Sequence, residues 1–197
     1  MNKKLVAFRP SILSRHPSHS ILRRRTKNLK LLPFPSVVRF GSSTEAKDSV
    51  ANGGRRIELN TVPAIKNSSS KLLMKESFKK NNVKTAIWAN NNDINAVISL
   101  LKEDSVDNEI NYAIISKKIF GSRGEGNDKH DTVDDLIAWS EGKKLTNYIF
   151  EKYYNYSREY RLHVNKNGCF YTCRKMLKRD TEDNKKWFRN DKNCVWV

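Results

Sequence analysis

Apolar and polar positions change period several times along this chain, and each change marks an element. KLVAF at 3–7 and SVVRFGSS at 36–43 are short apolar runs; the second leads into glycine and serines, as a strand entering a loop does. IELNTVPAI at 57–65 reads as a further extended segment. Asn67 to Ser70 then offers a helix N-cap, and KLLMKESFKKNN behind it gathers Leu72, Leu73, Met74 and Phe78 at helical spacing. VKTAIWA at 83–89 reads as a strand. DINAVISLLKE at 93–103 reads as an amphipathic helix through Ile94, Val97, Ile98, Leu100 and Leu101.

The alternation continues with NYAIISKK as a strand, a glycine-rich segment, TVDDLIAWSEG as a helix and NYIFEKYY as a strand. Thr132 and Asp135 have the spacing of a capping box, with Asp in the acidic role. EYRLHV and GCFYTCRKML then alternate with period two and are joined by NKNG, a hairpin signal with glycine at its end. WFRN leads into a last apolar run, NCVWV. The succession predicts an α+β protein, mixed or antiparallel sheets with flanking helices, divisible into two lobes. No internal repeat stands out.

Charge adds a second division. The 197 residues carry a formal net charge of +17. Ten lysines and arginines precede Glu45, the first acidic residue, leaving 28 basic against 21 acidic residues (38 − 10 and 21 − 0) for the rest. The basic, serine-rich front resembles a mitochondrial transit peptide in composition, although Pro10 and Pro17 interrupt any amphipathic helix there. Non-specific attraction to a polyanion suits it better, and a solvated basic surface is the simplest reading. No apolar run approaches the roughly 18 residues of a membrane-spanning helix. Cys169, Cys173 and Cys194 lack the paired spacing of a disulfide framework or zinc site, and a reducing cytoplasm is expected.

The segment KKIFGSRGEG at 117–126 is the strongest chemical signal. It is not a P-loop, because no lysine follows Gly126. It is not a dinucleotide fingerprint either, since Lys129 stands where the third glycine belongs. What remains is K-x-x-x-G-S-x-G-x-G at the end of a strand. Small residues let backbone N–H groups approach an anion, and a lysine four residues earlier can address the same phosphates. A surface turn with incidental lysines is the alternative.

Taken with the strands C-terminal to it, the segment resembles the ATP-grasp superfamily, in particular the RimK-like branch that adds glutamate to a ribosomal protein. Shorter proteins of this kind are common in bacteriophage genomes. The matching residues run in order: Lys117; Gly121-Ser122-Arg123-Gly124-Glu125-Gly126; Glu151 in YIFEKYY; Glu159-Tyr160-Arg161; Arg174-Lys175; and Phe188-Arg189-Asn190. A weaker match extends upstream through NSSSKLLMKESFKKNNVKTAIWA, with Lys71 near its start.

The resemblance implies a two-lobed fold divided at 1–66, a basic N-terminal region, 67–150, the lobe with the glycine loop, and 151–197, the start of an incomplete second lobe. It implies that Lys117 contacts nucleotide phosphates and that Gly121, Ser122, Arg123, Gly124 and Gly126 close over them. Glu151, Lys152, Tyr153 and Tyr154 become the hinge whose backbone reads adenine. Arg161, Arg174, Arg189 and Asn190 become the catalytic group around the transferred phosphoryl. The implied co-substrate is ATP with Mg2+, and the implied reaction joins a carboxylate to an amine or thiol through an acylphosphate.

This chain departs from the family in its metal ligands. The family's acidic strand and E-x-N come after the matched region and are not found here; Glu58-Leu59-Asn60 has that spelling but lies far upstream, so no metal ligand is assigned. The alternatives are a fragment, a C-terminally truncated homologue, or a partner that supplies the rest, and the expectation is truncation. Bland roles stand beside the catalytic ones. Glu159 and Arg161 suit cross-strand pairing, and Arg174 and Lys175 point to opposite faces, so only one can enter a site. The tyrosines at 153, 154, 156 and 160 suit packing as well as base stacking. His130 and His163 are not spaced as metal ligands. The rival classes are a basic nucleic-acid-binding protein and a non-catalytic interaction protein on a decayed fold.

Overall fold

The computed structural model describes residues 6–10, 36–40, 57–121, 125–165, 167–190 and 192–197, with side chains from Asn60 onward. The basic segment between Pro10 and Ser36, whose composition resembles a transit peptide, lies outside the described residues. The chain forms two compact units, 1–81 and 82–197.

In the first unit, β1 (Val6–Pro10), β2 (Ser36–Phe40) and β3 (Ile57–Leu59) make a parallel sheet in that order. The extended reading of 57–65 holds only for its first third. Asn60 takes a positive φ of 59°, which turns the chain, and α1 (Val62–Ser69) begins at once. Thr61 caps it by accepting the Ala64 N–H at 3.4 Å, and Pro63 sits in the first turn, where its missing N–H costs nothing. Ser68 and Ser69 therefore belong to the end of α1. Ser70 caps α2 (Lys71–Lys80), accepting the Leu73 N–H at 3.2 Å.

The second unit holds two antiparallel sheets. The first has the order β4-β7-β5-β6, from β4 (Trp88–Ala89), β5 (Ile114–Lys118), β6 (Asn127–His130) and β7 (Tyr148–Lys152). The expected strand at 83–89 contracts to two residues in β4. Helices α3 (Ile94–Glu103) and α4 (Val133–Ser140) cover one face. Their buried Val97, Leu101 and Leu136 pack with Ala89, Ile114, Leu145 and Phe150. Both helices start where side chains satisfy the first N–H groups: Asp93 for α3, and the full Thr132–Asp135 capping box for α4.

The second sheet has the order β10-β9-β8, from β8 (Glu159–Asn165), β9 (Gly168–Leu177) and β10 (Cys194–Trp196). The β8–β9 hairpin turns at Gly168, whose φ of 115° excludes most side chains, and a bulge follows His163. The segment 153–158 connects the two sheets.

Candidate functional site

The glycine-rich segment is the connection of a β-hairpin. The expectation placed a helix directly after it, but β6 intervenes, pairing Lys117 with Asn127 and Ile114 with His130. The Lys118 N–H donates to the Gly126 carbonyl at 3.3 Å and closes the loop, while the Ile119 N–H is held by the Asn147 carbonyl at 2.9 Å. Gly126 has φ 70°, and a Cβ there would lie 2.7 Å from Lys118 Cδ. The stem of Lys118 thus lies against the glycine backbone. Ser122, Arg123 and Gly124, the centre of the loop, lie outside the described residues.

Strand parity sorts the two lysines. Ile114, Ser116, Lys118, Phe150 and Lys152 share the helix-covered face, whereas Ile115, Lys117, Ile149 and Glu151 share the opposite one. Lys117 is diagonal to Glu151 across β5 and β7, and its ammonium is ion-paired with the Glu151 carboxylate. Glu151 is buried. Lys129, the residue that breaks the dinucleotide fingerprint, joins the same face in register with Ile115. Its ammonium lies 5.1 Å from the centre of the Tyr153 ring and 2.5 Å from Asp131 Oδ1. Nothing in the sequence pattern singled it out, because β6 reads as a polar loop.

The hinge residues are more committed than the sequence suggests. The Lys152 N–H bonds the Ile87 carbonyl at 3.0 Å and the Tyr153 N–H bonds the Ala113 carbonyl at 2.8 Å. Both backbone donors belong to the sheet. The Lys152 side chain turns to the helix side, 4.3 Å from the Tyr112 ring and 5.5 Å from that of Tyr154.

On this same helix-covered face His130 is buried, with Nε2 3.0 Å from the Ser116 hydroxyl and its ring 5.0 Å from that of Trp139. Burial pushes its pKa below the ordinary value, against the opposing pull of Asp128, Asp135 and Asp131, while Lys143 adds to the depression. It is a core residue that braces the hairpin.

The second sheet gathers the remaining candidates unequally. Glu159, Arg161, Cys173, Lys175 and Trp196 share one face; Tyr160, Arg174, Met176 and Val195 share the other. Arg161 and Arg174 therefore point to opposite sides. Between Arg174 and Lys175, the one on Arg161's side is Lys175. The Arg161 guanidinium lies 4.1 Å from the Trp196 ring centre. Lys175 is buried against Glu159 Oε1 at 3.4 Å and also donates to the Arg189 carbonyl. The Arg189 guanidinium lies 4.6 Å from the Tyr156 ring and bonds the Ser157 carbonyl at 3.4 Å. Burial, and then the neighbouring Glu159, raise the Tyr156 pKa, so its hydroxyl stays protonated and donates to Glu159 at 3.2 Å.

Asn190 is occupied otherwise. Its Oδ1 accepts the N–H groups of Lys192 at 2.8 Å and Asn193 at 3.1 Å, so the side chain folds the turn into β10. A cleft of about 440 Å³ opens beside it, between Lys178, Asp180, Glu182 and Lys192, and holds none of the other candidates.

The residues meet one test for an anionic ligand. The Nε atoms of Arg174 and Arg189 are buried with no hydrogen-bond partner among the described residues, a costly state for a charged donor. Gly126 offers no second one, because the Lys118 stem already fills the place beside its backbone. A metal does not fit equally well: among the described residues, no group of three His, Cys, Asp or Glu side chains is placed to hold one. None of the described helices is long and apolar enough to cross a membrane.

Comparison with known structures bears on the fold. No family model matches the sequence, and no curated protein matches it. Among solved structures, the chain resembles N5-carboxyaminoimidazole synthetase from Staphylococcus aureus complexed with ADP, with TM-score 0.51 and 16% identity over 79% of this chain and 41% of that one. It also resembles the D-alanine–D-alanine ligase of Bacillus anthracis, with TM-score 0.51 and 12% identity over 100% of this chain and 71% of that one. This chain thus spans about two fifths of the synthetase's length. The fold is α+β of the ATP-grasp type.

Proposed function

We propose that the chain binds ATP and serves an ATP-dependent ligation in which a carboxylate is joined to an amine or thiol. The observation that carries this is the placing of Lys117 and Glu151 together at the base of the glycine hairpin, on the sheet face opposite α3 and α4, in an ATP-grasp fold. That one structural neighbour carries ADP and another is a ligase supports the reading. The finer placement with RimK-like ligases rests on the order of the matched residues between Lys117 and Asn190.

In this proposal the Lys117 ammonium meets the nucleotide phosphates as a compact cation, held ready by Glu151. The loop from Gly121 to Gly126 covers them with backbone N–H groups. Because the donors of Lys152 and Tyr153 are spent within the sheet, adenine readout by backbone N–H falls to Tyr154 and beyond. Arg161 and Arg189 oppose the charge that develops as a carboxylate oxygen attacks the terminal phosphorus and ADP leaves. The amine or thiol then attacks the acyl carbon, releasing phosphate and its own proton. Arg174 lies on the far face and drops out of this group. Magnesium, which supplies charge neutralisation to such transfers, has no assigned ligands here. The cytoplasm, where ATP is plentiful, is the proposed location.

The test is displacement of a fluorescent ADP analogue from the purified chain. Displacement by micromolar to millimolar ATP and ADP, but not by equal inorganic phosphate, supports nucleotide binding. Failure of the analogue to bind rejects it.

A further inference from the structure

We propose that Trp196 and Lys175 are positioning residues that hold Arg161 and Arg189 ready for the terminal phosphoryl group; this rests on the ligase reading above. Neither residue touches the phosphoryl group in this proposal; both act through the arginines.

Register brings the parts together. Trp196, Lys175 and Glu159 form one row across β10, β9 and β8, all on one face, and Arg161 is the next residue on that face. A guanidinium on an open strand has many rotamers. With its central carbon 4.1 Å from the Trp196 ring centre, the Arg161 guanidinium is held over the indole, which limits that freedom; its N–H edge is the part that can bond an anion. No side-chain hydrogen bond of Arg161 to another described residue ties up that edge.

Lys175 joins the second arginine to the same platform. Its ammonium has three directions to fill, and here it has the Glu159 carboxylate, the Arg189 carbonyl and the Trp196 face, the last at 5.3 Å. The Glu159 carboxylate divides likewise, Oε1 to Lys175 and Oε2 to the Tyr156 hydroxyl. Tyr156 in turn is the ring on which Arg189 stacks. The circuit therefore runs Trp196, Lys175, Glu159, Tyr156, Arg189, and closes through the Arg189 carbonyl back on Lys175. Each arginine lies over an aromatic ring, and the buried Nε of Arg189 has no partner among the described residues. Such an arrangement suits a ligand with an additional, strongly charged tetrahedral anion over one without it.

The experiment compares two nucleotides on the full chain: ADP and a non-hydrolysable β,γ-imido ATP analogue, each displacing the same fluorescent ADP analogue. Wild type is expected to prefer the ATP analogue by about tenfold or more. Trp196→Ala is expected to reduce that preference to within about twofold while ADP affinity holds within about twofold. Trp196→Phe, which keeps an aromatic face, should restore most of it. Lys175→Gln should lower the preference in the same way, and serves if Trp196→Ala fails to fold. A merely structural role would weaken both nucleotides alike, and that result overturns the inference. So does a preference that survives Trp196→Ala, or a wild type that binds the two nucleotides equally; in these cases the ATP-binding reading still stands. Absence of any nucleotide binding by wild type overturns both.

Discussion

Lys117 on β5 and Glu151 on β7 are ion-paired diagonally across two antiparallel strands, with the carboxylate buried and the ammonium at the mouth of the glycine hairpin. The pair couples a structural role to the proposed functional one: Lys117 neutralises a buried carboxylate, and in the proposed site the same cation meets the nucleotide phosphates. Lys117→Met is expected to destabilise the chain by about 1–3 kcal/mol, the cost of withdrawing a partner from a buried charge. Adding Glu151→Gln should recover part of that loss. Urea denaturation of the single and double variants measures it; strictly additive losses would mean that the two side chains do not depend on each other.

Gly126 is constrained in two separable ways. Its φ of 70° costs an L-residue about 1–2 kcal/mol, and the Lys118 stem occupies the place of a Cβ. Gly126→Ala should therefore destabilise by at least that amount. In a Lys118→Ala background the steric part should vanish and the backbone part remain. Equal losses in the two backgrounds would remove Lys118 from the explanation.

His130 predicts an acid sensitivity of the hairpin sheet. Its pKa is depressed by burial in the folded state, so the unfolded chain takes up the proton first as pH falls. The sign is thus a loss of stability that starts below about pH 6.5, the unfolded value, and grows until the folded-state pKa is passed. Asp128, Asp131 and Asp135 limit the loss, and Lys143 adds to it. Comparing urea midpoints at pH 7.5 and pH 5.5 in wild type and His130→Gln isolates the contribution. The variant should show a smaller drop; an identical drop would assign the acid sensitivity to other groups.

Elements whose signals are local could be read from the sequence. The spacing of Val97 and Leu101, the Thr132–Asp135 capping box and the glycine at the end of NKNG all act within a few residues, and all appear in the structure. Asn-Asp-Lys-His in β6 could not be read, because an edge strand with a single buried residue, His130, carries no apolar alternation. The 57–65 segment failed for another reason: a positive φ at Asn60 and a proline suited to a first helical turn outweigh the β-branched residues around them. For the site, the candidates Lys117 and Glu151 needed only the motif order, and the sheet brings them together. The side of the sheet taken by Arg161, Arg174 and Lys175 depends on register with β9 and β10, and Trp196 comes beside Arg161 only through that long-range pairing.

Calorimetric titration of the full chain with ATP, repeated with Lys117→Ala, bears most directly on the nucleotide site. A single saturable binding event is predicted for wild type, weakened about tenfold or more in the variant, the scale of one lost charge-assisted contact. No binding by wild type, or binding that Lys117→Ala leaves undiminished and added salt alone removes, would contradict an ATP site beneath the glycine hairpin.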